Sequence, residues 1–430
     1  MYRVIIAGGG WAGCAAAVTA RNAGAEVILL EKTDLLLGLG NVGGIMRNNG
    51  RFTAAEENIA MGADELFAVT DRCSRHTGLD FPGHRHASLY DVMKVEPEVR
   101  RLLREKGVDI RLMSRAVDVV TGRSGDRTEI KKVLLAGGEE IEGDVFIDTA
   151  GSTGPMGNCL TYGNGCCMCI LRCPAFGPRV SISEKAGVHD IMGRRKDGSY
   201  GAFSGSGKLE KQSLSAELQH ELNEKGVAVI PLPEELVKKE KLDLKVCRQY
   251  ALDEYAENIV LLDTGYAKIM TPFFDLDSLR RVPGFENARY ADPYAGGKGN
   301  SVRYLSVTER DNDMRVTGTE NLFCGGEKSG LFVGHTEAIT TGSLAGHNAV
   351  RYLKGMKLLQ LPSGLATGDL ISFAAERMKT EDGLMTRYTF AGAEYFQRMK
   401  DKGLYSTDRE EIRTRVRRYG LENIYRDKLL

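Results

Sequence analysis

The sequence has no net charge and no long apolar run. Its 58 basic and 58 acidic residues cancel, so it lacks the positive field that is typical of proteins binding nucleic acids, and we expect no nucleic-acid partner. No stretch of about 18 apolar residues occurs, which argues against a membrane span. The start lacks a charged and apolar leader, and nine cysteines in a long chain fit a reducing compartment, so we expect a cytoplasmic protein.

Glycine is abundant, at 51 residues, and its first cluster follows a β-prone run at positions 2–7. The spacing Gly8-x-Gly10-x-x-Gly13 leads into a helix of small residues, which is the strand, turn and helix order of dinucleotide-binding folds. The first glycine permits a tight turn, the second lets backbone N–H groups approach a pyrophosphate, and the third lets helix and strand pack closely. We expect cofactor contacts at Gly8, Gly10, Trp11, Ala12 and Gly13. An ordinary βα turn is the alternative.

An acidic residue ends the next predicted strand, AEVILLEK. Glu31 follows the glycines by about twenty residues, where a carboxylate accepts hydrogen bonds from ribose hydroxyls and disfavours a 2′-phosphate. Lys32 adjoins it. A second glycine-rich stretch, LLLGLGNVGG, comes where such folds lay a loop along the cofactor. Its candidate contacts are Gly40, Asn41, Gly43 and Gly44.

Two later segments indicate FAD as the tightly held ligand. The first, GDVFIDTAG at 143–151, resembles a strand and small-residue turn of flavoproteins of the glutathione-reductase class. The second, NLFCGGE and the helical pattern after it, resembles their closing motif, in which a helix N-terminus faces the isoalloxazine and stabilises negative charge on the reduced flavin. The resemblance implies FAD contacts at Ala116, Val117, Ala150, Gly151, Gly326, Glu327, Gly334, His335 and Thr336.

The carboxyl half resembles a family of RNA-modifying flavoproteins. PGFENA at 283–288 and the glycine-spaced run at 326–349 are similar to motifs of GidA (MnmG) and TrmFO, which modify uridine in RNA. Those proteins place a reactive cysteine in the glycine-rich loop after the ribose-binding acid, whereas this chain has no cysteine between Glu31 and Cys73. We therefore expect the fold and FAD of this family without its RNA activity. NAD(P)H is a candidate reductant, although no second GxGxxG is evident.

The expected architecture is α/β with three parts. A glutathione-reductase-type Rossmann FAD-binding domain is predicted at 1–158 and 307–360, and an inserted α+β substrate domain at 159–306. A small helical region is predicted at 361–430. Its charged amphipathic helices are candidates for a homodimer interface.

Cysteines are concentrated in the run NGCCMCILRCP. Cys166 and Cys169 have the C-x-x-C spacing of a dithiol that exchanges electrons with a flavin. Cys173 precedes a proline, as a functional cysteine does in the inserted domain of GidA proteins. The same three cysteines match the end of a ferredoxin-type motif, so an iron–sulfur cluster completed by Cys159 or Cys167 is a second interpretation. Buried structural thiols are a third. Thiol chemistry is favoured over a metal site.

The predicted function is that of a FAD-dependent oxidoreductase, with the flavin carrying hydride or electrons to or from a small-molecule substrate or redox partner. The cysteine-rich run is its predicted redox neighbour. His335 is a candidate acid–base group because the positive helix end would keep its imidazole neutral. His84 and His86 are further acid–base or anion-binding candidates. Two alternatives remain open: flavin- and folate-dependent modification of tRNA uridine, and a non-catalytic flavin-bound scaffold.

Overall fold

The computed structural model describes most of the chain, namely residues 2–152, 176–200, 202–203, 207–243, 248–270, 275–291, 302–303 and 305–430. The first third alternates strands and helices. Its elements are β1 (Arg3–Ala7), α1 (Trp11–Asn22), β2 (Glu26–Leu30), α2 (Gly40–Gly43), β3 (Ile45–Met46), α3 (Gly50–Ala60), α4 (Glu65–Arg72), β4 (Ser74–Phe81), β5 (His84–Tyr90), α5 (Val95–Glu105), β6 (Asp109–Arg111), β7 (Ala116–Ser124), β8 (Arg127–Leu135), β9 (Glu140–Glu142) and β10 (Val145–Asp148).

The middle of the chain has short elements, and the end is helical. The middle contains α6 (Ile182–Lys185), β11 (Ile191–Met192), β12 (Ala202–Phe203), β13 (Gly207–Leu209), α7 (Ala216–Lys225), β14 (Val227–Pro231), α8 (Glu254–Glu257), β15 (Asn258–Asp263), β16 (Ala267–Ile269), α9 (Leu276–Leu279), β17 (Val302–Arg303) and β18 (Ser306–Val307). The end contains β19 (Leu322–Cys324), α10 (His335–Leu353), α11 (Ala366–Arg377), α12 (Glu381–Met385), α13 (Ala393–Asp401) and α14 (Arg409–Arg418). Single 3₁₀ turns include Gly326–Ser329 and Ile424–Arg426.

A parallel five-stranded sheet, in the order β19–β10–β1–β2–β6, forms the centre of the fold. Ala7 at the end of β1 lies beside Asp148 of β10 and Leu30 of β2. Four of the five residues of β1 are buried, as expected for a strand covered on both faces. Because parallel strands end at one edge, the first glycine turn, Glu31 and Thr149 meet there. The predicted α/β class with a parallel sheet is confirmed.

Helices α1 and α10 contact each other backbone to backbone. A Cβ on Gly342 would lie 2.2 Å from the carbonyl oxygen of Ala12, and one on Gly346 would lie 2.2 Å from that of Ala16. Four residues along α10, from Gly342 to Gly346, correspond to four residues along α1, from Ala12 to Ala16, so the two helices run in the same direction. Their N-termini therefore point to the same edge of the sheet.

The middle of the chain packs against a hairpin of the first third. Its antiparallel sheet has the order β13–β16–β15–β14. Val260 and Met270 share a buried cluster with Phe81 and Leu89 of the β4–β5 hairpin. The PGFENA segment contributes Phe285 to the core of the same sheet, so part of the family motif is structural. The bounds 159–306 of an inserted domain remain a prediction.

The carboxyl-terminal helices share a core with α3. Tyr388 and Phe390 are buried in one cluster with Ala54 of α3. The carboxylate of Glu57 accepts hydrogen bonds from two backbone N–H groups at the start of α11, at 2.9 Å each. The carboxyl-terminal helices therefore pack directly against α3. No helix in the described part of the chain combines the length and apolarity needed to cross a bilayer.

Candidate functional site

A cleft opens at the carboxyl edge of the parallel sheet, where α1 and α10 begin. Most of the residues that the sequence predicts to bind the cofactor line this cleft. They are Gly8, Gly10, Trp11, Ala12, Glu31, Lys32, Gly40, Gly43, Ala116, Ala150, Gly151, Gly326, Glu327, Gly334 and His335. Segments that are far apart in the sequence are thereby brought together by the sheet.

The turn between β1 and α1 has the shape of a phosphate cradle. Gly8 has φ 111°, and a Cβ on it would lie 2.5 Å from the carbonyl oxygen of Thr149. No atom lies within 4 Å of a Cβ built on Gly10, so this turn leaves open space beside its backbone. No side chain caps α1, and its first turn contains no acid. The N–H groups and positive end of α1 are therefore suited to an anion.

The acid that follows β2 is held rigidly at the cleft. Glu31 is 8% exposed, and its carboxylate accepts hydrogen bonds from the N–H groups of Gly9, at 2.8 Å, and Thr33, at 2.9 Å. Nζ of Lys32 donates to the carbonyl oxygen of Gly177 at 2.7 Å. These contacts connect the end of β2 to the glycine turn and to the segment that follows residues 153–175.

Arginines that the sequence analysis missed line the same cleft. Arg115 precedes β7, and Arg179 precedes α6. Together with Lys32 they give this part of the cleft a positive charge, which suits a ligand with phosphates. A sequence signal for them is lacking, because each lies in a different segment and only tertiary packing unites them.

The start of α10 forms the second helix end at the cleft. Its N-cap is Gly334, with φ 143°, and no side chain caps the helix. His335 precedes Gly342 by seven residues, whereas Trp11 precedes Ala12 by one. Since Gly342 lies against Ala12, α10 extends about six residues, or roughly 9 Å, beyond the start of α1. Two positive helix ends are thus spaced along one cleft.

His335 is oriented by a tyrosine hydroxyl. The hydroxyl of Tyr90 donates to the carbonyl oxygen of Gly40 at 2.7 Å and lies 3.2 Å from Nδ1 of His335. Because its single hydrogen is used on Gly40, we assign Nδ1 of His335 as the donor to Tyr90, which leaves Nε2 as an acceptor in the neutral ring. Burial raises the pKa of Tyr90. A Cβ on Gly43 would lie 1.7 Å from Cε1 of His335, so glycine there leaves room for the imidazole.

The turn after β19 carries Glu327, which lines the cleft, and Lys328, which is buried. Oγ of Ser152 donates to Glu327 at 2.6 Å. Lys328 is buried and donates to both oxygens of Asp190 at 2.6 Å. Burial, together with the charge of Asp190, raises the pKa of Asp148 in the same cluster, while Lys328 opposes this. The ion pair anchors the turn that presents Glu327.

Part of the cleft lining comes from the middle of the chain. Gln249, Tyr250, Lys268 and Met270 line the cleft there. Lys268 is 4% exposed, and its Nζ donates to the carbonyl oxygen of Val42 at 2.7 Å. This contact joins the middle sheet to the glycine-rich stretch of the first third. The sequence analysis named none of these residues, since their positions depend on long-range packing.

Some predicted contacts do not line the cleft, namely Gly13, Asn41, Gly44, Val117 and Thr336. A Cβ on Gly13 would lie 1.9 Å from the carbonyl oxygen of Gly8, so this glycine serves the packing of α1 on β1. The predicted loop at Gly40 is instead the helical turn α2. The side chain of Asn41 is therefore directed toward the residues just before it in the chain, and its amide donates to the carbonyl oxygen of Leu36 at 2.7 Å.

The cysteine-rich run lies outside the described residues. This applies to Cys159, Cys166, Cys167, Cys169 and Cys173. Gly151, shortly before the gap, and Arg179, shortly after it, both line the cleft. Three described cysteines, Cys14, Cys73 and Cys324, are free and buried. In the described ranges no group of His, Cys, Asp and Glu is arranged to hold a metal ion.

His84 is not suited to acid–base work in the cleft. Its ring lies 4.8 Å from that of Phe81 and 4.7 Å from that of Tyr250. Nδ1 lies 2.9 Å from the side-chain nitrogen of Asn48, and Nε2 lies 3.0 Å from the carbonyl oxygen of Gln249, so Nε2 carries the hydrogen. Burial lowers the pKa of His84 to about 3. The imidazole is therefore a neutral support for the wall at Gln249.

Solved structures with the same fold include two crystal forms of GidA from Aquifex aeolicus. Form II matches with a TM-score of 0.62 and 15% identity, covering 97% of this chain and 76% of that one. Form I matches with a TM-score of 0.60 and 16% identity, covering 97% and 78%. At this identity the likeness establishes the fold. Among curated proteins, none matches the chain in sequence.

Family membership follows from the sequence match itself. The family model described as "Glucose inhibited division protein A" matches residues 3–259 and 264–357. These ranges contain the glycine turn, Glu31 and both helix starts at the cleft. The chain therefore belongs to the glucose inhibited division protein A (GidA) family and is a FAD-dependent enzyme.

Proposed function

We propose that FAD lies along the cleft, with its adenosine near Glu31 and Ala116 and its isoalloxazine at His335. The observation that carries this placement is the pair of uncapped helix starts on one cleft, α10 extending roughly 9 Å beyond α1. The start of α1 and the open space at Gly10 suit the pyrophosphate. Arg115 and the other cations of the cleft add favourable charge.

We further propose that the protein is an oxidoreductase acting on a small molecule or a redox partner. When bound, FAD supplies the capacity to accept and return two electrons. The chain orients its own groups beside it: Tyr90 fixes the tautomer of His335, and Nε2 of His335 can hold a proton. Gln249 and Tyr250 contribute further side chains to the lining of the cleft.

The cysteine-rich run is the proposed redox neighbour of the flavin. Support comes from the described residues on both sides of it, because Gly151 and Arg179 line the cleft. Ser152, which precedes the run, is hydrogen-bonded to Glu327. The dithiol spacing of Cys166 and Cys169 suits two-electron exchange, in which two thiolates become a disulfide as the electrons pass to the flavin.

Anaerobic purification followed by a reductive titration tests the proposal. We expect released FAD and no iron or labile sulfide. After the purified protein has been oxidised so that Cys166 and Cys169 form a disulfide, we expect an uptake of two electrons beyond the flavin's own two. Cys166→Ser with Cys169→Ser should abolish the extra uptake, whereas the control Cys73→Ser should keep it. Stoichiometric iron and sulfide would show that the cysteines hold an iron–sulfur cluster and do not act as a dithiol. Equal electron uptake in the wild type and all variants would show that Cys166 and Cys169 have no redox role. Purified protein without flavin would overturn the placement of FAD.

A second candidate function is flavin- and folate-dependent modification of tRNA uridine, which family membership favours. The missing cysteine between Glu31 and Cys73 weighs against it. Transfer RNA binding at low salt distinguishes the two, because phosphate contacts are strongest there. Specific binding that weakens steeply with added salt would support RNA modification. Absence of transfer RNA binding at low salt would rule out RNA modification and leave the oxidoreductase proposal in place.

A further inference from the structure

A buried ion pair lies at the start of α10. Nε of Arg51 is 3.1 Å from each carboxylate oxygen of Glu337. The side chains are 5% and 0% exposed. Arg51 lines the cleft, and Glu337 belongs to the first turn of α10. The pair therefore connects α3 to the helix end that faces the cleft.

Both members of the pair are satisfied by further hydrogen bonds. Oε1 of Glu337 accepts from the hydroxyl of Thr389 at 2.8 Å and from the N–H of Phe390 at 2.9 Å. Nη2 of Arg51 donates to the carbonyl oxygen of Val333 at 2.8 Å and to Thr389 at 3.0 Å. A buried pair with this number of partners is held in one geometry.

The pair also lies against the N-cap of α10. A Cβ on Gly334 would lie 1.9 Å from Oε2 of Glu337 and 2.3 Å from Nη2 of Arg51. The two charges are thus beside the backbone at which the helix begins. In a buried environment such charges act strongly on a neighbouring ligand.

We propose that Arg51 neutralises Glu337 so that the start of α10 remains positive toward the flavin, and that the pair thereby sets the flavin's reduction potential. This inference rests on the proposed placement of FAD. A helix N-terminus carries roughly half a positive charge, and an unpaired carboxylate in its first turn would cancel that charge. Arg51 removes this effect, so the reduced flavin keeps its electrostatic stabilisation. Both residues act through the helix end and are positioning residues.

Midpoint potentials of four proteins test the inference: the wild type, Glu337→Gln, Arg51→Met and the double variant. Glu337→Gln leaves Arg51 unpaired, so we expect a higher potential. Arg51→Met leaves Glu337 unpaired, so we expect a lower one. We expect each single change to alter the equilibrium constant of two-electron reduction about tenfold, or about 30 mV, and the double variant to return close to the wild type. A purely structural role would not produce opposite signs that cancel.

The FAD content of each protein is measured first, which separates a failure of FAD binding from a failure of the ion pair to affect the flavin. Wild-type protein without FAD would refute the proposed function. Bound FAD with unchanged potentials, or with shifts of the same sign in both single variants, would refute the role of the pair alone. If Arg51→Met does not fold, Glu337→Gln still decides the sign, because glutamine can keep the acceptor for Thr389. The control Asp369→Asn removes the charge of a buried carboxylate that pairs with the partly exposed Arg398, away from the cleft, and should leave the potential unchanged.

Discussion

Gly342 of α10 and Ala12 of α1 touch through their backbones: a methyl group on Gly342 would lie 2.2 Å from the carbonyl oxygen of Ala12. This contact aligns the two helices and so fixes how far the start of α10 extends beyond that of α1. The spacing of the two helix ends along the cleft therefore depends on the absence of one side chain.

Replacing Gly342 by alanine should force the two helices apart. Overpacking of this kind costs about 1–3 kcal/mol, so we expect a lower thermal midpoint in protein stripped of FAD. Gly137→Ala is the matched control, because no atom lies within 4 Å of a Cβ at that position. Equal melting of the two variants would show that α1 and α10 are less tightly packed than described.

Replacing Gly10 by valine should remove FAD binding and spare the fold. Gly10 has φ −68°, which any residue adopts, and a Cβ there meets no protein atom within 4 Å. The added side chain would occupy the space proposed for the pyrophosphate. We expect FAD affinity to fall at least tenfold, about 1.4 kcal/mol, in a fluorescence titration. Gly137→Val should bind FAD normally. Normal binding by Gly10→Val would place the pyrophosphate elsewhere.

His84 should make the protein less stable as the pH falls. Burial lowers the pKa of His84 from 6.5 to about 3. Between these values the unfolded chain binds a proton that the folded protein does not, so the free energy of unfolding decreases from about pH 6.5 downward. One such group contributes a slope of up to about 1.4 kcal/mol per pH unit. We expect His84→Gln to flatten the decline between pH 6.5 and 5 in denaturant unfolding.

The exposed His220 supplies the control for that measurement. His220→Gln should leave the slope unchanged. His347, whose pKa burial lowers to about 4, has the same sign as His84, so part of the decline should persist in His84→Gln. A slope that is identical in the wild type and His84→Gln would mean that the imidazole is hydrated in the folded protein.

Two buried tyrosines should respond in opposite ways to loss of the hydroxyl. The hydroxyl of Tyr425 has no hydrogen-bond partner among the described residues, whereas that of Tyr395 donates to the carbonyl oxygen of Ala366 at 2.7 Å. An unsatisfied buried group costs about 1–3 kcal/mol, and a satisfied one contributes about 1 kcal/mol. We expect Tyr425→Phe to raise the free energy of unfolding and Tyr395→Phe to lower it. Losses of similar size in both variants would contradict the assignment.

Local patterns were enough to predict the part of the cleft built from the sheet. Gly8, Gly10 and Glu31 lie at strand ends, and the parallel sheet necessarily brings strand ends to one edge. The start of α10 was predicted by resemblance to flavoproteins, and His335 lines the cleft, while its contact with FAD stays a prediction. These positions follow from backbone geometry that recurs in every fold of this class.

Long-range packing placed the residues that the sequence did not predict. Arg51 reaches Glu337 across 286 positions, and Lys268 reaches Val42 across 226. No spacing rule connects such pairs. Asn41 differs for another reason: the predicted loop is a helical turn, and the Asn41 amide donates to the carbonyl oxygen of Leu36 in its own segment.

The hydrogen bonds from Thr389 and Phe390 to Glu337 have a consequence for synthesis of the protein. Chains emerge from the ribosome amino end first, so the glycine turn and Glu31 are made long before the residues that hold the start of α10. A nascent chain that stops short of residue 389 would expose the carboxylate of Glu337 without two of its donors. We therefore expect stable insertion of the cofactor only after Thr389 and Phe390 have been translated.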